Sequence, residues 1–317
     1  MSAINPKPQP SSPMPRLRIA KPFGGLEEFV EENHPLAKHT WYKIGGPARY
    51  FVRPRTQEEL QEAVARCIEN NIPIHILGLG ANLLVSDEGV DGAVFRLDQD
   101  YWRRVNFDGT TVEVGAGVDM QKLIIRTARE GLAGIEVLAG IPGTIGGGIR
   151  MNAGGKFGEL GSFVKTVTVM DDEGTVYTRT RDDLVFSYRH TNIAARFILG
   201  ATLVQEQDDP DKVMKRMKEI WMYKNNSQPL NTKSCGCVFK NPGGPAGAGA
   251  LIDQAGLKGL RAGGAEVSTK HANFIVNPTK TARAADIEAL IFEVQRIVQD
   301  KTGVLLEPEV RIIGESE

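Results

Sequence analysis

Apolar positions recur along this chain at two periods, and the alternation between them sets out its elements. Leu60, Ala63, Val64 and Cys67 fall on one face of a helix that Thr56 caps. Glu59, three residues after Thr56, is placed to close a capping box, and Asn70–Asn71 ends the helix. A strand over 48–53 precedes it and a short apolar strand over 74–77 follows, which reads as a βαβ unit. From Ala93 the period shortens to two, giving strands over 94–97, 102–107, 111–114, 164–170 and 175–178, with Asp108-Gly109 and Glu173-Gly174 as turns. One helix interrupts them, with Asp119 as N-cap and Gly131 just past its end. After a strand over 197–205 and a linker-like Asp208-Asp209-Pro210-Asp211, the next helix offers Val213, Met217, Ile220 and Trp221 for burial. A second core then begins. It has a short helix over 251–255, strands over 265–268 and 273–276, a long helix over 281–301 and a last strand over 304–313.

The element order gives an α+β fold in which a βαβ part and an antiparallel part precede a smaller C-terminal unit. The expected division is an extension over 1–22, a first domain over 23–207, a second over 208–305 and a closing strand over 306–317. Six prolines and no apolar core in the first 22 residues exclude a secretory signal and predict disorder there. A net charge of −1 on 317 residues leaves no footprint for nucleic acid, and no apolar run is long enough for a bilayer. Cys67, Cys235 and Cys237 are too few for a disulfide framework, so a reducing cytoplasm is the expected compartment. No oligomer is predicted, and a monomer is favoured.

Against that background the stretch over 134–155 stands out, because eight of its 22 residues are glycine and the rest are mostly apolar. Linkers rich in glycine are normally polar. An apolar, glycine-dense stretch instead brings bare backbone against a ligand, phosphate above all. The loop Gly78-Leu79-Gly80-Ala81-Asn82-Leu83 lacks the third glycine of a dinucleotide fingerprint. It reads as a ligand-contacting loop at the end of a strand, or as a plain turn.

Three further segments can carry chemistry. Arg189, in Phe186-Ser187-Tyr188-Arg189-His190, is either a fork for a carboxylate or a solvated strand end. Cys235-Gly236-Cys237 lacks the further ligands of a zinc site, so no metal is expected; a thiol near its ordinary pKa of ~8.5 is a usable proton donor. Lys240 and Asn241 beside it can bind a phosphate or a polar sugar. Alternation over 305–311 puts Glu307 and Glu309 on one face, a pattern that a charged edge strand also produces.

Together, GLGANLLV, AGIPGTIGGGIRMNAG, YR at 188–189, GCVFKNP at 236–242 and LEPEVRIIG at 306–314 resemble the UDP-N-acetylenolpyruvoylglucosamine reductase family, from about Leu36 to Gly314. The resemblance implies a p-cresol methylhydroxylase-type FAD-binding module followed by an α+β substrate-binding domain. It implies non-covalent FAD, NADPH as donor and UDP-N-acetylglucosamine enolpyruvate as small-molecule substrate, reduced to UDP-N-acetylmuramate for peptidoglycan synthesis. In that family hydride goes to C3 of the enolpyruvyl ether, an arginine and a glutamate stabilise the resulting enolate, and a serine or cysteine protonates C2. These roles fall on Arg189, Glu309 and Cys237. FAD contacts fall on Gly78, Gly80, Ala81, Asn82, Leu83, Pro142, Gly143, Thr144, Ile145, Gly146, Gly147, Asn152 and Ala153, and substrate contacts on Tyr188, Lys224, Lys240 and Asn241. The pattern matches the shorter subtype, without an inserted tyrosine-bearing loop. Two other readings remain open: an alcohol or hydroxyacid oxidase of the same fold, and a non-redox UDP-sugar-binding protein.

Overall fold

The computed structural model describes residues 21–314, so the proline-rich extension over 1–20 and the last three residues lie outside it. Six helices occur among these residues: α1 (Gln57–Glu69), α2 (Met120–Arg129), α3 (Ile145–Arg150), α4 (Pro210–Ser227), α5 (Ala248–Gln254) and α6 (Ala284–Thr302). The expected caps are in place. Thr56 accepts from the Glu59 N–H and Asp119 from the Lys122 N–H, each worth ~1 kcal/mol. The Glu59 carboxylate turns to the Arg55 N–H and guanidinium.

Four strands form the first sheet in the order Val30–Pro35, Pro47–Val52, Val90–Phe95, Ile74–Ile76. The last three run parallel, but Val90–Phe95 is inserted between the two that α1 joins, so the βαβ unit is split by a later strand. A five-stranded antiparallel sheet follows, in the order Val176–Thr180, Val164–Met170, Phe197–Val204, Thr111–Gly115, Val105–Asp108. The strand expected over 102–107 begins only at Val105. Trp102 sits in a 3₁₀ turn, fully buried, with Nε1 donating to the Pro54 carbonyl at 2.7 Å.

Buried side chains of these two sheets, α1, α2 and α3 form the largest apolar cluster. A second gathers α5, α6 and the short sheet Arg261–Ala262, Ala265–Val267, Ile275–Val276, together with Tyr42, Ile44 and Leu84 from the N-terminal half. Gly303 ends α6 in the left-handed conformation at φ 73, where glycine carries no Cβ penalty. The final segment departs from expectation. Only Arg311–Ile313 is a strand, and it pairs in parallel with Leu83–Val85, next to the Gly78 loop. Glu307 and Glu309 do not share a face: the Glu307 side chain is 69% exposed beside Lys240, whereas that of Glu309 is 12% exposed.

Candidate active site

Two glycine-bearing loops face each other across the larger of two adjoining pockets, about 750 Å³. One wall is the Gly78–Leu83 loop and the other runs from Gly140 to Gly148. Two of the glycines on the first loop have no room for a side chain. A Cβ on Gly78 would come 2.8 Å from Thr144 Oγ1, and one on Gly80, which sits at φ 65, would overlap the His39 carbonyl oxygen. Thr144 Oγ1 accepts from the Gly147 N–H as the N-cap of α3. Gln121 fixes the approach to this turn, accepting from the Gly140 N–H at 2.8 Å and donating to the Ile141 carbonyl at 2.7 Å. The centre of the stretch is therefore a helix start rather than an open nest. Its Ile145 and Gly146 N–H groups are spent on the Val118 and Ala116 carbonyls.

A smaller pocket of about 380 Å³ lies alongside, and Arg189, Cys237 and Glu309 border both. Arg189 comes from the turn of a hairpin in which Phe186–Ser187 pairs with His190–Thr191. Its Nε donates to Glu309 Oε1 at 2.5 Å, and its guanidinium lies 4.9 Å from the Tyr188 ring centre. Glu309 is held by its own N–H, which donates to the Val238 carbonyl at 2.7 Å, one residue beyond Cys237. Burial raises the Glu309 pKa above the ordinary carboxylate range, although Arg189 pulls the other way. Burial also pushes the Cys237 thiol up to about 12; the Glu309 charge adds to this and Arg189 opposes it. Cys237 is half-buried between the pockets, and a thiol with its pKa raised in this way keeps its proton at neutral pH.

The remaining candidates divide. Gly78, Gly80, Ala81, Asn82, Leu83, Pro142, Gly143, Thr144, Gly146, Gly147 and Ala153 line the large pocket, whereas Ile145 and Asn152 are fully buried behind its wall. Asn152 spends its amide on the Ser187 carbonyl and the Gly161 N–H. Tyr188 and Asn241 meet at the small pocket, where the Tyr188 hydroxyl accepts from the Asn241 N–H at 3.1 Å. Lys240 lines neither pocket and is paired with Glu307. Lys224 lines the large one, 6% exposed, and its Nζ has no hydrogen-bond partner among the described residues. His271, which borders both pockets, and Arg96 and Arg311, which line the large one, went unnoticed in the sequence. No local spacing marks them, and only the fold brings them in. Among the described residues no group of side chains is arranged to hold a metal ion, and no helix is long and apolar enough to cross a membrane.

Comparison with known proteins shows the family of the chain. Residues 48–180 match the FAD binding domain family, and residues 228–313 match the family described as UDP-N-acetylenolpyruvoylglucosamine reductase, C-terminal domain. The chain is 40% identical over 293 residues to the UDP-N-acetylenolpyruvoylglucosamine reductase of Lachnoclostridium phytofermentans, covering 91% of this chain and 94% of that one. It is also 40% identical over 292 residues to the reductase of Moorella thermoacetica, covering 92% and 95%. The crystal structure of the Thermus caldophilus reductase superposes with a TM-score of 0.77 at 37% identity, over 90% of this chain and 99% of that one. The large pocket suits FAD. Its glycine walls leave backbone open to a ligand, and its lining holds more cations (Arg96, Arg103, Arg150, Lys156, Arg189, Arg196, Lys224 and Arg311) than carboxylates (Asp98 and Glu309), a balance that suits a dianionic pyrophosphate. The chain belongs to the UDP-N-acetylenolpyruvoylglucosamine reductase family.

Proposed function

We propose that this protein reduces UDP-N-acetylglucosamine enolpyruvate to UDP-N-acetylmuramate, with NADPH as electron donor, in the cytoplasm. The observation that carries the reading is the meeting of the two pockets at Arg189, Cys237 and Glu309. Bound in the large pocket, FAD would supply hydride chemistry toward the enolpyruvyl C3. The rest is work for side chains of this chain. Addition at C3 leaves an electron pair shared between C2 and the carboxylate, and a buried guanidinium opposite that charge stabilises it far more than water would. Arg189 is such a group, fixed by Glu309 and stacked against Tyr188. Cys237 gives its Sγ proton to C2, completing the C–H bond, and the thiolate left behind recovers a proton from solvent. Its high pKa suits this task, because the thiol stays neutral until a carbanion-like centre of much greater basicity forms beside it. Glu309 helps an anionic neighbour only in its protonated form, and its burial moves it in that direction.

Tyr188 and Asn241 line the small pocket, the space left for the nucleotide sugar, and Lys224 lines the adjoining large one. An oxidase of the same fold needs the glycine loops but has no use for Arg189, Cys237 and Glu309 together. The two readings separate in an anaerobic experiment. Enzyme bleached by NADPH regains its yellow colour on addition of UDP-N-acetylglucosamine enolpyruvate if the proposal holds, and stays bleached until oxygen enters if the protein is an oxidase.

A further inference from the structure

The turn that presents Arg189 is disfavoured by its own sequence. Tyr188 and Arg189 form the two-residue tip of the hairpin, and Arg189 sits at φ 57, a region glycine or asparagine occupies more readily than arginine. The hairpin itself has two residue pairs, too few to be stable alone. A side chain held in such a conformation persists only where its surroundings over-determine it.

Asn152 provides that determination. It is wholly buried; its Nδ2 donates to the Ser187 carbonyl at 3.0 Å, and its Oδ1 accepts from the Gly161 N–H at 2.9 Å. Gly161 packs directly under Phe186, where a Cβ would strike the ring, so the amide ties the first hairpin strand to a fixed floor. The partner of Arg189 is held in the same way. Asn82 Nδ2 donates to the Glu309 carbonyl at 3.1 Å, and the Asn82 carbonyl accepts from the Arg311 N–H at 3.2 Å. The pairing of Leu83–Val85 with Arg311–Ile313 continues from that point. One amide thus fixes the backbone two residues before Arg189, and the other fixes the peptide of Glu309.

We infer that Asn152 and Asn82 are positioning residues for the Arg189–Glu309 pair, each anchoring the backbone of one partner to a loop that walls the large pocket. The inference rests on the proposed role of that pair. It implies that the half-reaction with the enolpyruvyl sugar depends on Asn152, whereas the half-reaction with NADPH does not.

Asn152→Asp keeps size and the acceptor for Gly161, but turns the donor facing the Ser187 carbonyl into an acceptor. Asn152→Ser avoids a buried charge and serves if the aspartate variant does not fold. In stopped flow on the flavin-loaded enzyme, reoxidation by UDP-N-acetylglucosamine enolpyruvate should slow by about 10- to 100-fold, the scale of a misplacement near 1 Å. Flavin content and the rate of bleaching by NADPH should stay within about twofold. In an Arg189→Lys background the same change should add less than about threefold, because the two act through one group. Asn82 borders the flavin pocket, so Asn82→Asp is read through the pH profile of reoxidation, which it should shift in wild type and leave unmoved in Glu309→Gln. Equal slowing of both half-reactions, loss of flavin, or full additivity with Arg189→Lys would overturn the inference. Wild-type enzyme that fails to reoxidise with this substrate would instead overturn the functional reading beneath it.

Discussion

Lys224 is the group whose environment most plainly awaits a ligand, and replacing it by methionine has a calculable consequence. The lysine lies on α4, 6% exposed, and its ammonium has no hydrogen-bond partner among the described residues. Burial, with a smaller contribution from Arg189, lowers its pKa from 10.5 to about 8. At about 1.4 kcal/mol per tenfold change in proton affinity, that fall amounts to about 3 kcal/mol of destabilisation carried by the charged form. Between pH 8 and 10.5 the unfolded chain binds this proton and the folded chain does not, so stability rises with pH across that window. Below pH 8 the full penalty applies. Lys224→Met keeps the length and removes the charge, so the flavin-free variant should be more stable than wild type by about 2–3 kcal/mol at pH 7. The gain should shrink through pH 9 and vanish near pH 10.5. Urea unfolding of both proteins at several pH values measures it, because every other titration cancels in the difference. UDP should then stabilise wild type more than the variant, since a bound diphosphate supplies the missing counter-charge. A variant less stable at pH 7, or a difference that does not change with pH, would refute the reasoning.

Other predictions concern the two pockets. Gly80→Ala forces a Cβ against the His39 carbonyl and to 2.8 Å from Thr40 Cα at a positive φ, so the purified variant should carry less than about half the wild-type flavin, read from its absorbance ratio. The rate of reoxidation by the enolpyruvyl sugar should fall in wild type as pH rises through the elevated Glu309 pKa, and Glu309→Gln should lose that pH dependence. NADPH and the sugar should compete for the face between the pockets, giving parallel lines in double-reciprocal plots. Intersecting lines without mutual inhibition would place them at separate sites.

Much of this was readable before any coordinates, and the failures have identifiable causes. Thr56 and Asp119 mark α1 and α2 because a cap followed by one apolar stripe is a local signal. The helix at Ile145–Arg150 was missed because three of its six residues are glycine, the poorest common helix former, leaving Thr144 as its one mark. On α4 the stripe through Val213, Met217 and Ile220 was correctly sensed, but its continuation is Lys224, which no hydrophobic pattern would select, and Trp221 is turned out to 47% exposure. The family motifs brought Arg189, Cys237 and Glu309 together on paper, and the fold places them at one junction. What the motifs could not distinguish is which way a side chain faces within a glycine-rich or motif loop. Asn152 and Ile145 belong to the glycine stretch yet lie behind its wall, and Lys240, which directly follows the buried Val238 and Phe239, is paired outward with Glu307. Nor could spacing show that the last strand crosses back to Leu83–Val85, which is what carries Glu309 to the flavin side.

The proposed function divides the labour, with the large pocket serving electron entry and Arg189, Cys237 and Glu309 serving the sugar. Cys237→Ala tests it most directly by single-turnover stopped flow without oxygen. NADPH should bleach the variant at the wild-type rate, while reoxidation by UDP-N-acetylglucosamine enolpyruvate should slow by more than about 100-fold, within the range expected for losing a positioned proton donor. Reoxidation at the wild-type rate would contradict it.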